Sequence, residues 1–307
     1  MRRHPVVMVL AGAAAAWCAA PLAVSAAPAA QAVARAGTSG TAIEVPGLRA
    51  LNQGGRAELN SVSCGSPGNC VAVGNSPDGS FHEHAFLAGE RNGAWRRAIQ
   101  VPGTSGLDAG GGAEATSVSC VSAGNCAAGG LYIDGSGQAQ AYVVSKTNGT
   151  WGNAIEVPGL GTLNKHGDAR VYSVSCASAG NCAAGGGYQD RSAHFQVFAV
   201  NETNGIWGTA IKVPGSGLLN AGGNAAIFSV SCPSAGNCAA GGDYKDGAGH
   251  TQAFVASEAN GTWGTAIEIP GLGALNAGGN ASVTSVSCGS AGNCAAGHTQ
   301  AFVVNQS

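Results

Sequence analysis

The sequence predicts an all-β fold, a five-bladed β-propeller with four antiparallel strands per blade, and three observations carry that prediction. The word Ser-Val-Ser-Cys occurs at residues 61–64, 117–120, 173–176, 229–232 and 285–288, each copy 56 residues after the last. Every full copy holds four short strand patterns separated by turn signals. The repeat region also begins with a lone fourth strand, residues 40–47, and ends on a third. The first segment can therefore complete the last blade and close the ring. An open array would leave unpaired sheet edges at both ends and would call for polar caps, which are absent from the sequence.

The N-terminus is set aside first. Arg2, Arg3 and His4 form a basic start, an apolar run follows to about Ala20, and Ala23-Val-Ser-Ala26 suits a signal peptidase. Residues 1–26 read as a signal peptide and 27–39 as a flexible leader, leaving 40–307 as the five-repeat domain. The apolar run is too short for a good membrane anchor. Cys18 goes with the signal, because Trp17 precedes it where a lipoprotein site needs a small residue. The expected location is extracellular, with no membrane insertion after signal removal.

Composition narrows the rest. Charged residues make up 10% of the chain and the net charge is −2, so neither a basic face for nucleic acid nor a polybasic patch for anionic lipid is present. Glycine is abundant at 51 residues and aromatics are few, which suits short strands and many turns rather than a Leu-rich helical core.

Within a unit, the first strand carries the Ser-Val-Ser-Cys word. A turn of Ser-Ala-Gly-Asn type leads to a second strand beginning Cys-Ala-Ala-Gly-Gly. A turn on Asp134 and its counterparts Asp78, Asp190 and Asp246 leads to a third strand such as 140–144. Asn-Gly pairs beginning at Asn92, Asn148, Asn204 and Asn260 mark tight hairpins, since both residues tolerate positive φ. The fourth strand, 151–157 in the second unit, should put Ile155 and Val157 on one face and Glu156 on the other. Pro158 ends it, as an outer edge permits. The last unit is trimmed: relative to the fourth it lacks eight residues, Gly242 to Gly249.

Ten cysteines fall as Cys-x5-Cys, one pair per unit: Cys64 and Cys70, Cys120 and Cys126, Cys176 and Cys182, Cys232 and Cys238, Cys288 and Cys294. Each pair lies across the first hairpin, within disulfide reach. An exported chain makes disulfides the expected state. No His or carboxylate recurs beside the pairs to complete a metal site, so no metal and no cofactor is expected.

The pattern Ser-Val-Ser-Cys-x-Ser-x-Gly-Asn-Cys-x-Ala, followed by Gln-Ala-Phe-Val and Asn-Gly-x-Trp, resembles the repeats of secreted actinobacterial β-propeller-like proteins. In blade number and near-identical repeats the chain is also similar to five-bladed tachylectin-type lectins. The Asn-Gly-Thr-Trp turn is distantly similar to the Asp-box turn of sialidase-type propellers, without that motif's Ser-x-Asp core. The lectin resemblance implies sugar binding at repeated sites.

A catalytic site needs different residues converging on one substrate, and the repeated acids are accounted for by turn formation. No catalytic residue is assigned. The candidate ligand-binding residues are instead Asn52, Asp108, Asn164, Asn220 and Asn276 in the inter-blade loops, beside Tyr132, Tyr188 and Tyr244. Amides plus a flat apolar ring are what a neutral sugar requires. Plain loop chemistry explains the same Asn residues equally simply. The expected function is a secreted, non-catalytic, lectin-like module binding polysaccharide or cell-surface glycan at several near-equivalent sites. A structural or protein-interaction propeller with an extracellular protein partner is the alternative, and a glycoside hydrolase a distant third. Unreduced peptide mapping should show each Cys-x5-Cys pair linked to itself; bridges between units would overturn the assignment of one pair to one blade.

Overall fold

The computed structural model describes residues 40–298 and 303–306; the signal peptide and leader assigned above lie outside them. From Ile43 onward the chain forms one compact unit.

The second repeat shows the pattern. Its first strand, Ala113–Ser122, pairs antiparallel with Asn125–Ile133, which pairs with Ala139–Thr147. The fourth strand is present in two pieces, Thr150–Trp151 and Ile155–Glu156, both paired to the third. The break has a physical cause: the Ala154 N–H leaves the sheet and donates to the Pro102 carbonyl of the preceding unit at 2.7 Å. Beyond the break, Ile155 and Val157 differ in burial. Ile155 is 43% exposed, while Val157 is fully buried at the junction with the next unit. The hairpins behave as their Asn-Gly pairs predict, with Asn148 at φ 50° and Gly149 at φ 89°.

The first, third and fourth units repeat this five-piece sheet. The fifth sheet has three strands, Val283–Ser290, Asn293–His298 and Val303–Gln306, and no outer strand among the described residues. The chain is thus all-β, with five blade-like antiparallel sheets. The pairing of residues 40–47 with the last sheet is not formed in this structure; Ile43 is 65% exposed.

Sheets bury both faces against their neighbours. One core cluster joins Val71, Val73 and Leu87 of the first unit to Ala115, Val118 and Tyr132 of the second. Another joins Ala127 and Val143 of the second to Val171, Tyr188 and Phe198 of the third. The Ala and Gly content has its use here, because small side chains let sheets approach closely.

All five disulfides form within their own units, linking residues directly opposite across the first hairpin, with Cα atoms 3.9 Å apart in Cys176–Cys182 and 4.1 Å in Cys232–Cys238. A loop this short contributes about 2 kcal/mol by restricting the unfolded chain.

The invariant serines have a role of their own. The Ser61 and Ser63 hydroxyl oxygens accept the backbone N–H groups of Val118 and Cys120 in the next unit, at 3.2 and 2.9 Å. Ser117 and Ser119 do the same for Val174 and Cys176, Ser173 and Ser175 for Val230 and Cys232, and Ser229 and Ser231 for Val286 and Cys288, all between 2.9 and 3.0 Å. The first strands therefore stand side by side without forming a common sheet, and serine hydroxyls satisfy their outward amides. Removing one hydroxyl leaves a part-buried amide unpaired, which costs about 1–3 kcal/mol. Ser175→Ala should lower the melting temperature by about 5 °C in a thermal melt.

Candidate functional site

Each inter-unit loop opens with a short helical turn, such as Leu160–Thr162 or Ser216–Leu219, followed by an Asn or, after Thr104–Leu107, by Asp108. Asn164 accepts the Asp168 N–H at 3.0 Å and donates to the Ala139 carbonyl at 3.2 Å and the Gln140 side chain at 2.8 Å. Asn220 bonds Asn224, Phe195 and Gln196 in the same way, and Asn276 bonds Asn280, Thr251 and Gln252. The glutamines donate in turn to the turn aspartates, Gln140 to Asp134 at 3.0 Å and Gln252 to Asp246 at 3.1 Å. The Gln252 amide, with the His250 backbone N–H, holds the Asp246 carboxyl below its usual range.

These contacts show where the predicted site residues lie. Asn164, Asn220 and Asn276 are 5, 5 and 7% exposed, and both ends of each amide are committed to a latch between units. Asn52, which has no preceding unit, keeps the local half, accepting the Arg56 N–H at 2.9 Å. Tyr132, Tyr188 and Tyr244 are buried in the inter-sheet cores. Tyr132 and Tyr244 donate outward to Glu156 and Glu268, at 3.4 and 2.9 Å. Burial pushes the Tyr188 hydroxyl up to about 12. The three rings and the Asn164, Asn220 and Asn276 amides are engaged in packing between units. The tryptophans are also occupied: Trp207 and Trp263 are buried and donate to Ser145 and Asn201 of the preceding units, at 2.9 and 3.0 Å. Among the described residues no group of three His, Cys, Asp or Glu could hold a metal.

One row of positions departs from the repetition. Three and one residues before each Ser-Val-Ser-Cys word stand Glu58 and Asn60, Glu114 and Thr116, Arg170 and Tyr172, Ala226 and Phe228, Ser282 and Thr284. The side-by-side first strands bring them into one strip. Asn60 donates to Asn75 at 3.0 Å and to Glu114 at 3.3 Å in the next unit. Arg170 pairs with Asp168 at 3.2 Å and lies 5.9 Å from the Tyr172 ring centre. Tyr172 meets Phe228 edge to face, with ring centres 5.6 Å apart. Ser282 hydrogen-bonds Asp243. Burial raises the Glu114 carboxyl, opposed by Arg170 and reinforced by Glu58 and Glu83. Burial likewise raises the Tyr172 hydroxyl. Arg170 Nε is buried without a hydrogen-bond partner among the described residues. Sequence reasoning missed this strip by looking for what recurs. A column-by-column comparison of the five copies marks it, because these two columns change chemistry beside an unchanging word.

No family model matches the chain, and no curated protein matches it. Among solved structures it is similar to a Hadza microbial sialidase, Hz136, at 11% identity and a TM-score of 0.47, over 82% of this chain and 52% of that one. The chain spans about half that enzyme's length, and at this identity the likeness concerns the arrangement of sheets only. Five blade-like sheets, each with a Cys-x5-Cys pair, describe a propeller-like repeat protein.

The junction of the first two units departs from the latch pattern. Asp108 stands where the others have Asn, and His84 where they have Gln. The Asp108 side chain is 3% exposed; it accepts the Gly112 N–H, and His84 lies 4.0 Å away. Burial raises its carboxyl above the usual value, against the opposing Gly112 and His84 contributions. The folded chain therefore binds this proton more tightly than the unfolded chain. The cost of ionising Asp108 is absent below about pH 4 and grows as pH rises through the folded value. Asp108→Asn restores the common residue and removes that cost. Its melting temperature should exceed the parent's at pH 7, and the gain should fade as the pH falls below about 4.

Proposed function

We propose that the protein is an exported, non-catalytic carbohydrate-binding module, its five sheets closed into a ring and its ligand held on the inner-strand strip. The observation that carries this reading is the departure from repetition in that strip. Positions that hold the units together repeat from copy to copy, as the serines and cysteines illustrate. The strip instead sets two aromatic rings, Tyr172 and the 36%-exposed Phe228, beside carboxylates, amides and one guanidinium. A pyranose presents a weakly apolar face ringed by hydroxyls, and this combination suits it. Glu58, Glu83, Glu114, Asp168 and Asp243 outnumber Arg170 there, which favours an uncharged sugar over an acidic one. Five disulfides and export suit work outside the cell.

The strip is a single site, so one sugar chain per protein is expected in place of the several equivalent loop sites. The test is a glycan array and an insoluble-polysaccharide pull-down with the mature chain, Tyr172→Ala and Asn164→Ala. Tyr172→Ala should weaken retention about tenfold, the equivalent of about 1.4 kcal/mol, while Asn164→Ala should act on stability only. Retention insensitive to Tyr172→Ala but lost in folded Asn164→Ala would return the site to the loops. Retention on no glycan would sink the carbohydrate reading in favour of an extracellular protein partner.

A further inference from the structure

Between the second and third units, the Ser145 hydroxyl donates to Glu202 at 2.6 Å and accepts the Trp207 indole N–H at 2.9 Å. Between the third and fourth, Asn201 donates to Glu258 and accepts the Trp263 indole N–H at 3.0 Å. One polar side chain of the third strand thus bridges an indole and a carboxylate at each of these junctions. At the junction of the first two units the bridge is missing. Gly89 stands where Ser145 and Asn201 stand, and Lys146 where Glu202 and Glu258 stand. A Cβ on Gly89 would meet nothing within 4 Å, so the room for the bridging side chain is open. Trp151, the equivalent of Trp207 and Trp263, makes no side-chain hydrogen bond among the described residues. Lys146 spends one of its three N–H donors on the Ala123 carbonyl at 3.0 Å.

Two more positions depart from the repeat beside this gap. Arg91 takes the place of Thr147, Thr203 and Ala259, and Arg96 the place of Gly152, Gly208 and Gly264. With Lys146 they line a cleft of about 500 Å³ between the first two units. Its counterpart between the third and fourth units measures about 230 Å³ and is lined by Glu202 and Glu258. Glu90 is the single carboxylate among the described residues lining the larger cleft. Among the described residues neither Arg91, Arg96 nor Lys146 is in an ion pair. Burial and the nearby Arg91 guanidinium both push the Lys146 amine below its usual value. Gathering like charges in one cleft costs stability, so packing gives no reason for the three departures.

We infer that this cleft binds an oxyanion, a phosphate or carboxylate group carried by a small molecule, with one ligand oxygen in the place of the missing bridging side chain. That oxygen accepts the Trp151 indole N–H and a Lys146 proton, as Ser145 and Asn201 accept the indoles elsewhere. Arg91 and Arg96 meet the remaining oxygens, since the paired N–H groups of arginine match both carboxylate and phosphate. Three cations against Glu90 leave a local positive surplus, which the anion cancels. The volume is that of a small-molecule site, so the group comes attached to something larger, such as an acidic sugar. The cleft lies at the hairpin ends of the strands, where Ser66 pairs with Asn69, and the Tyr172 strip lies at the other ends, where Glu58 pairs with Asn75. The two sites are therefore independent.

Isothermal titration of the full mature chain at low salt, with inorganic phosphate, glucose 6-phosphate, glucuronate and glucose, tests the assignment. Glucose 6-phosphate or glucuronate should bind saturably at one site per chain, and glucose should not. Binding should weaken as salt is added, and the preferred acidic sugar identifies the oxyanion. Lys146→Glu combined with Arg91→Thr installs residues that other units carry at the same places, so the fold should persist while affinity falls about tenfold or more. Gly89→Ser, which copies Ser145, should also weaken binding by filling the ligand's place. Tyr172→Ala should leave it unchanged. No saturable binding of any anion would overturn the site. So would glucose binding as tightly as glucose 6-phosphate, or a folded Lys146→Glu, Arg91→Thr variant that binds like the parent.

Discussion

Everything in this molecule depends on how one first strand stands beside the next. Two strands at that distance could merge into a single sheet, and five would then form a continuous ribbon. They do not merge, because serine hydroxyls rather than carbonyls receive the outward amides, as when Ser175 caps Cys232 at 3.0 Å. Each such bond is worth only about 1 kcal/mol net, but leaving the amide bare would cost more. The hydroxyl is also short, so the serine fixes how near the strands approach.

The disulfide and the buried acids work from that same line. Each disulfide ties the capped strand to its hairpin partner just where the serine bonds end, so the amide-bearing edge cannot peel away. Further out, Glu202 and Glu258 are 3 and 5% exposed and reach back to Ser145 and Asn201 of the preceding units. Burial raises both carboxyls. Buried carboxylates are an expensive way to join apolar sheets. Their value lies in direction, since a hydrogen bond sets an orientation that Ala against Val does not.

Local rules made much of the fold legible in the sequence. The repeat length, the hairpins at Asn-Gly, the intra-unit cysteine pairs and the proline-ended edge all follow from short-range chemistry. What could not be read was where loop amides point. Asn164 in a Gly-rich loop looks solvent-exposed, but its partner Gln140 lies 24 residues back across a junction. The serine role was hidden for the same reason, its amide lying 57 residues further along. The tyrosines looked accessible because they stand close to a turn beside the inter-unit loops, yet neighbouring sheets cover them. The differentiated strip was present in the letters all along and needed only a comparison of unlike columns.

Since the serine caps and disulfides are alike from unit to unit, nothing in them counts the units. A gene that lost or gained one 56-residue segment would encode a chain whose serine caps and disulfides could each still form. A hydroxyl accepting an amide swivels easily, so a small change in the angle between neighbours is inexpensive. The trimmed fifth unit, the Asp108 junction and the Tyr172–Phe228 pair are the places where an exchange of neighbouring segments would leave a trace.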